Sequence, residues 1–459
     1  MVHCYKNHGY NIVLDVESGS VHVVDDLVYD LIGEVECALS EGLSDTEIVS
    51  RLGGGLTDVD RKEALSEILE LKNSGRLFSK DEHEESVQAF TERESVVKAM
   101  CLHIAHACNL SCRYCFAGDG EYYGPCGLMS YETGKQALDY LVEHSGSRRN
   151  LEVDFFGGEP LLNWDVVKRL VEYGRSIEKE KNKNFRFTLT TNGTLLNEEI
   201  LEFANREMSN LVLSIDGRKE VHDRMRPYRD GRGSYDEIIP KYIHAAESRN
   251  QMNYYVRGTY THLNTDFSQD VLHLADLGFE QISVEPVVAS PEEEYALREE
   301  DIPELIKQYD ILADEMLKRR KEGRGFNFFH FNIDLECGPC VYKRLSGCGA
   351  GCEYISVTPW GDIYPCHQFV GQPEYRLGSL SEGIVNTGLR KKFHDCNVYS
   401  KPECRDCFAK YYCSGGCMAN SQHFTGSIYG AYKTGCELQR KRIECAIMLK
   451  AAAAEQEGE

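Results

Sequence analysis

The sequence predicts an α/β protein: a parallel sheet closed or partly closed into a (β/α)6 barrel, with a small winged-helix-like unit before it and a cysteine-rich region after it. Three observations predict this. Six strand-like runs alternate with helical runs from Met100 to Pro286. A hairpin pattern and three helical patterns fill residues 1–85. Eleven of the 19 cysteines fall between Cys337 and Cys436.

In the first unit, Tyr10–Val16 and Ser20–Asp25 read as strands around the turn Glu17-Ser18-Gly19-Ser20. Asp26–Leu39 reads as a helix. A second helix opens at Ser44, which Glu47 follows three residues later in a capping box. The third, Thr57–Gly75, puts Ala64, Ile68 and Leu71 on one face. Residues 1–85 hold 7 basic and 19 acidic side chains, which argues against DNA as the ligand of the winged helix. Asp81–Ser86 reads as the start of a charged linker, and residues 86–99 as the linker proper.

In the barrel region, 100–325, the expected strands are Cys101–His106, Leu151–Phe156, Phe185–Thr190, Leu211–Ile215, Tyr254–Tyr260 and Gln281–Pro286. The helices between them are Tyr131–His144, Val166–Lys181, Asn197–Glu207, Tyr235–Arg249 and Gln269–Leu277. Loops leaving the strands then share one face, where barrel chemistry sits. His103, His106, Asp216, Tyr260 and Glu285 are candidates to face the lumen, and His103 and His106 read equally well as satisfied core residues. The region 326–459 loses periodicity until a last helix, Cys436–Ala454, with Ala451–Glu459 as a frayed tail. Such a region needs metal to fold.

The charge balance, 51 basic against 74 acidic residues, disfavours nucleic acid and anionic membranes as partners. No 18-residue apolar stretch and no signal-peptide core occur, so a cytoplasmic location is expected. A reducing compartment does not favour disulfides, so the clustered cysteines point to zinc or iron–sulfur. Cys4, Cys37, Cys101 and Cys445 are scattered and read as small buried hydrophobes, and Cys396 as incidental.

Cys108, Cys112 and Cys115 follow the first barrel strand with C-x3-C-x2-C spacing. Three thiolates suit three irons of a [4Fe–4S] cluster with one iron open. A zinc knuckle completed by Cys126 is the alternative. This loop resembles the hallmark of the radical SAM superfamily, and Tyr114 before the last cysteine fits it. Gly157-Gly158-Glu159-Pro160 after the second strand looks like the family's GGEP motif, although alone it is an ordinary turn. The resemblance implies that the glycines admit close backbone approach and that Glu159 meets the methionyl amine of S-adenosylmethionine (SAM). It implies further SAM contacts at Asn192 and Ser214. Arg226 resembles the arginine that holds the SAM carboxylate, with Arg224 competing. The implied chemistry is reductive cleavage of SAM and hydrogen abstraction by a 5′-deoxyadenosyl radical.

Cys348-x12-Gly361-x4-Cys366, then Cys404, Cys407, Cys413, Cys417 and Cys436, resembles the SPASM domain of peptide-modifying radical SAM enzymes. The resemblance implies two auxiliary [4Fe–4S] clusters, three in all. One takes Cys404, Cys407, Cys413 and Cys436. The other takes Cys348, Cys366 and Cys417, with Cys352, Cys337 or Cys340 as the fourth ligand or an open iron in its place. Cys337 and Cys340 read equally as a solvent-facing pair.

The N-terminal unit resembles the precursor-peptide recognition element of ribosomal peptide maturases, a stabilising appendage being the alternative. Overall the chain is most similar to the maturases of six-cysteine (SCIFF) peptides. That similarity implies a thioether synthase acting on a cysteine-rich precursor bound through its leader. It also implies an electron donor such as flavodoxin or ferredoxin, in an anaerobic organism. Two other readings are an anaerobic sulfatase-maturing enzyme, which forms formylglycine, and a non-catalytic iron–sulfur electron-transfer protein.

Overall fold

The computed structural model describes residues 1–52, 57–85, 87–92, 95–335 and 341–458. The N-terminal unit is not a two-stranded hairpin. β1 (Val2–Asn7), β2 (Tyr10–Asp15) and β3 (Ser20–Val24) form an antiparallel sheet in that order. β1 is not legible in the sequence, because His3, Lys6 and Asn7 interrupt its apolar pattern. Its pairing with β2, Val2↔Asp15 through Asn7↔Tyr10, supplies the strand. Helices α1 (Asp26–Ser40), α2 (Asp45–Arg51) and α3 (Asp58–Asn73) follow. Asp25 accepts from Val28 N at 2.8 Å, and Ser44 N donates to Glu47 at 2.8 Å, as the capping box requires.

Strand alternation splits the loyalties of β2. Val13 packs with Leu31, Val35, Ile48 and Ile68 in the unit's own core, while Ile12 and Leu14 join the main core of the protein. The unit is therefore seated on the body. α4 (Val87–Glu92) leads into β4 (Ala99–His106).

After β4 come β5 (Gly127–Leu128), α5 (Tyr131–His144), β6 (Asn150–Gly157), α6 (Trp164–Lys181), β7 (Asn184–Thr191), α7 (Glu198–Glu207), β8 (Met208–Ser214), α8 (Lys219–Met225), α9 (Tyr235–Ser248), β9 (Tyr254–Tyr260), α10 (Phe267–Asp276), β10 (Gln281–Pro286) and α11 (Ile302–Lys321). β4, β6, β7, β8, β9 and β10 pair in sequence order and in parallel, so all six expected strands form one sheet.

Alternate residues of these strands behave oppositely. Val153, Phe155, Phe187, Leu189, Leu211, Leu213, Val256, Ile282 and Val284 are buried in the main core. Their neighbours on the other face include Asp154, Thr188, Thr190, Ser214, Arg257, Thr259 and Glu285, all partly or largely open. A barrel interior is usually filled by branched apolar side chains. Here the inner face is polar and hollow.

The sheet does not stop at the expected boundary near residue 325. β11 (Asn327–Phe328) adds to β10, and β12 (Tyr354–Val357) adds in parallel to β4 at the other edge. β13 (Asp362–Tyr364), β14 (Gly378–Ser379) and β15 (Gly383–Ile384) continue from β12. The rest is short: α12 (Val341–Ser346), α13 (Thr387–Asp395), α14 (Pro402–Arg405), α15 (Lys410–Cys413) and α16 (Met418–Thr425). α17 runs Lys433–Gly458 against α11 and β1. It includes the expected frayed tail through Gly458, and Glu455 accepts from the Tyr10 hydroxyl at 2.6 Å.

The glycines after β6 are required by close approach. A Cβ at Gly157, where φ is +125°, would lie 2.2 Å from Ala105 O, and one at Gly158 would lie 2.1 Å from Ala107 O. Both neighbours are backbone of the strand end that leads to Cys108, so neither can yield. Gly158→Ala is expected to destabilise by about 3 kcal/mol through overpacking, which denaturant unfolding would measure.

Candidate functional site

The Cys108–Cys115 loop leaves the carboxyl end of β4 and is sewn to the segment after α8. Ser111 N donates to Pro227 O and Arg113 N to Met225 O, both at 2.9 Å. Behind it, the Tyr114 hydroxyl donates to both Asp216 oxygens at 2.7 and 2.6 Å, and Arg226 Nε donates to Asp216 at 3.0 Å. The Arg226 guanidinium also stands 5.4 Å from the Tyr114 ring centre. Asp216 is fully buried beneath these donors and does not face the lumen. Of the two competing arginines, Arg226 turns inward and Arg224 is exposed.

The three thiols influence one another's ionisation. Burial pushes Cys108 up to about 12, with Glu159 and Cys115 adding to it. Burial also raises Cys112 and Cys115, while Arg226 opposes the rise at both. Cys126 is exposed and is not among the charges acting on the trio. Three adjacent buried thiols resist becoming thiolates unless a cation joins them, and iron is such a cation. Asn192 Nδ2 donates to Cys108 Sγ at 3.7 Å, a contact of the kind that orients and tunes a ligating sulfur.

Glu159 differs from expectation. It is completely enclosed, and its carboxylate accepts from Leu161 N at 3.0 Å, Thr191 Oγ1 at 2.7 Å and Asn192 N at 2.8 Å. Its oxygens are spent on pinning the Thr191-Asn192 turn to the glycine loop. Burial raises its pKa to about 7 despite these donors. Ser214 sits half-buried at the end of β8.

His222 braces the same region. It bonds to Asp216 N at 3.4 Å and to Ser234 Oγ at 2.9 Å, and burial lowers its pKa to about 3, with Arg226 adding to the shift. The unfolded chain takes up this proton near pH 6.5 and the folded chain does not. The contribution is therefore intact above pH 6.5 and is lost as pH falls below it. Chemical unfolding of wild type and His222→Asn is expected to show about 1.4 kcal/mol less loss in the variant between pH 7.5 and 5.5.

Other lumen candidates resolve differently. His103 and His106 bond to each other at 3.0 Å in the core and are held neutral, His106 near 4, by burial. Tyr260 is fully buried, its hydroxyl on Tyr309 at 2.8 Å. Glu285 does line the hollow, paired with Arg257.

The C-terminal cysteines form two sets. Cys366 is raised by burial first, then by Cys417 and Cys348. Burial pushes Cys404 up to about 12, with Cys413, Cys436 and Cys407 contributing, and Cys413 up to about 11, with Cys436 and Cys407 contributing. These influences run within each expected set, and Cys101 also acts on Cys366 and Cys348 on Cys396. Cys352 is not among the main charges acting on Cys366, although Cys366 packs against the apolar cluster that holds Cys352. Burial pushes it up to about 11, it packs with Phe369 and Phe393, and its Sγ faces Arg390 O at 3.6 Å. Cys337 and Cys340 lie outside the described residues. Cys396 is buried, its thiol on Ile428 O at 3.3 Å. Of the four scattered cysteines, Cys101 and Cys445 are buried, Cys4 is half-buried and Cys37 is exposed, contrary to expectation.

Among the described residues, no three His, Cys, Asp or Glu side chains are gathered as a single-ion site. The donor chemistry of the three sets suits iron–sulfur clusters: all are thiols, half-buried in the first and four-thiol sets, with half-buried Cys366 beside exposed Cys348 and Cys417 in the other, and cations act on the first and four-thiol sets. Those cations are Arg226, Lys401 and Arg440 for the first and four-thiol sets. Sequence reasoning missed Lys401 and Arg440, because no motif distinguishes them. Lys401 is buried, and Arg440 Nη1 lies 4.0 Å from Cys407 Sγ.

The segment from Cys407 to Cys413 also carries Lys410, at the start of α15. Its side chain is 2% exposed and pairs at 2.9 Å with both Glu17 and Asp81. Tyr399 donates to Asp81 at 2.7 Å, and Tyr411 to Glu17 at 2.9 Å. His3 stacks on Phe408 at 3.5 Å between ring centres. Asp81, expected in an exposed linker, is instead part of a joint between the N-terminal unit and the four-thiol site.

Residues 102–249 match the Radical SAM superfamily. A cysteine-type anaerobic sulfatase-maturating enzyme of Clostridium novyi is 26% identical over 69% of this chain and 86% of its own length. Among solved structures, native anSMEcpe with bound AdoMet and the Cp18Cys peptide is similar with a TM-score of 0.64 and 20% identity, over 78% of this chain and 99% of that one. Streptococcus suis SuiB bound to its precursor peptide SuiA is similar with a TM-score of 0.51 and 15% identity, over 91% of this chain and 94% of that one. These likenesses describe the α/β fold.

Proposed function

We propose that this radical SAM enzyme joins a cysteine sulfur to a carbon of an acceptor residue within a ribosomally made, cysteine-rich precursor peptide. The observation that carries the peptide reading is the N-terminal sheet. β1 lies against α17, whereas β3 has β2 on one side and, among the described residues, no strand on the other, with Val23 53% exposed. A leader peptide adds to such an edge through main-chain hydrogen bonds. The acidic balance of residues 1–85 favours a leader bearing Lys or Arg.

Cys108, Cys112 and Cys115 would hold the [4Fe–4S] cluster that supplies reductive cleavage of SAM, and the two C-terminal thiol sets would hold auxiliary clusters. Gly157 and Gly158 let backbone crowd the site, and Asn192 holds Cys108. Arg226, fixed by Asp216, offers a guanidinium for the SAM carboxylate. Ser214 and Tyr114 border the same space. Glu159 acts by holding the Asn192 turn. Thioether formation removes one hydrogen from the acceptor carbon and one from the thiol.

The test is anaerobic incubation of the iron-loaded enzyme with reductant, SAM and a cysteine-rich peptide carrying its leader, followed by peptide mass. The expected product is two hydrogens lighter and one thiol poorer per cross-link. Formylglycine made from cysteine would instead remove the sulfur. That second reading is favoured by the similarity to sulfatase-maturating enzymes. An unchanged peptide mass would refute both.

A further inference from the structure

We propose that Arg257 anchors the substrate peptide's main chain inside the barrel, an assignment that rests on the peptide reading above. Arg257 lies on β9, where its register partners are Ser214 on β8 and Ser283 on β10, so it stands level with the strand-end row around the SAM site. Arg257 follows the core residue Val256 on β9, so its side chain, 47% exposed, stands on the polar inner face of the sheet.

Glu285 holds the guanidinium through Nη2 and is its one hydrogen-bond partner among the described residues. An arginine carries five N–H donors, so the others are free to meet a ligand. A polar row within a barrel is stable when water or a hydrogen-bonding ligand faces it.

Asp154, whose pKa burial raises to about 7, accepts from Thr190 at 3.0 Å on the same face of the sheet. The Glu285 carboxylate on the guanidinium repels an acidic side chain and leaves the remaining donors for neutral acceptors. Main-chain carbonyls are the neutral acceptors that every peptide brings.

The test uses the full-length, iron-loaded enzyme and a synthetic cysteine-rich peptide carrying its leader, and compares variants whose N-terminal unit is unchanged, so that leader docking is the same in all. Arg257→Gln is expected to raise the peptide KM about tenfold or more, with a smaller change in kcat. Arg257→Lys, which loses the fork but keeps the charge, is expected to fall between. Iron content and SAM affinity report folding. Replacing one amide of the peptide by an ester, which weakens its carbonyl as an acceptor, should cost the wild type more than Arg257→Gln. Wild-type KM in both arginine variants would overturn the proposal. If Arg257→Gln loses iron or SAM affinity, Glu285→Gln decides: a raised KM supports the anchor and an unchanged KM overturns it. Failure of the peptide reading shows differently, as a leader-bearing peptide that the wild-type enzyme leaves unmodified, and it overturns the anchor as well.

Discussion

Replacing Lys410 with methionine is expected to destabilise the protein by about 3–5 kcal/mol and to release the N-terminal unit. The size follows from burial. Lys410 and Glu17 are 2% and 4% exposed, and removing the cation strands two carboxylates in a poorly hydrated joint. The joint spans three segments: the β2–β3 turn at Glu17, the linker at Asp81 and the segment from Cys407 to Cys413. Trypsin cleavage after the exposed Lys80 should accelerate in step with the loss. Combining Lys410→Met with Glu17→Gln and Asp81→Asn should recover more than half of it, since replacing all charges removes the stranded ones. Exposed Arg405 pairs with Glu84 nearby, and Arg405→Ala is expected to change stability by less than about 1 kcal/mol. Unchanged melting and proteolysis in Lys410→Met would show that the joint is hydrated and not structural.

The second large effect is at the first cysteine loop. Cys108→Ala, Cys112→Ala and Cys115→Ala together should abolish SAM cleavage while iron at the C-terminal sets persists. Cys115 acts on Cys108, both act on Cys112, and no C-terminal cysteine is among the main charges on the trio. Iron and sulfide analysis beside 5′-deoxyadenosine quantification separates the two effects. Cleavage retained in the triple variant would remove the radical SAM assignment from this loop. Conversely, Cys404→Ala should lower C-terminal iron and, through Lys410, loosen the N-terminal unit, since metal binding and local folding are one equilibrium.

Much of this was legible in the sequence because it is periodic or spaced. All six barrel strands appeared as alternating or apolar runs, and the cysteine sets appeared as fixed spacings. What was not legible depends on tertiary partners. β1 is a strand because β2 completes its ladder and α17 covers it, not because of its own pattern. The C-terminal tail stays helical where Tyr10 reaches Glu455. Asp81 looks like a solvated linker charge until Lys410, more than 300 residues later, is placed on it. Glu159 and Asp216 were both recognisable as acids at strand ends. Whether their oxygens face a ligand or a protein donor is decided by Thr191, Asn192, Tyr114 and Arg226, and no spacing reveals that.

The most direct test of the account is isotopic. A cysteine-rich precursor peptide deuterated at its non-cysteine residues is incubated anaerobically with loaded enzyme, reductant and SAM, and the 5′-deoxyadenosine is weighed. The account predicts deuterium in 5′-deoxyadenosine, together with a peptide that has lost one deuterium and one thiol per cross-link. Unlabelled 5′-deoxyadenosine with a modified peptide would contradict it, because the hydrogen would then have come from somewhere other than the acceptor residue.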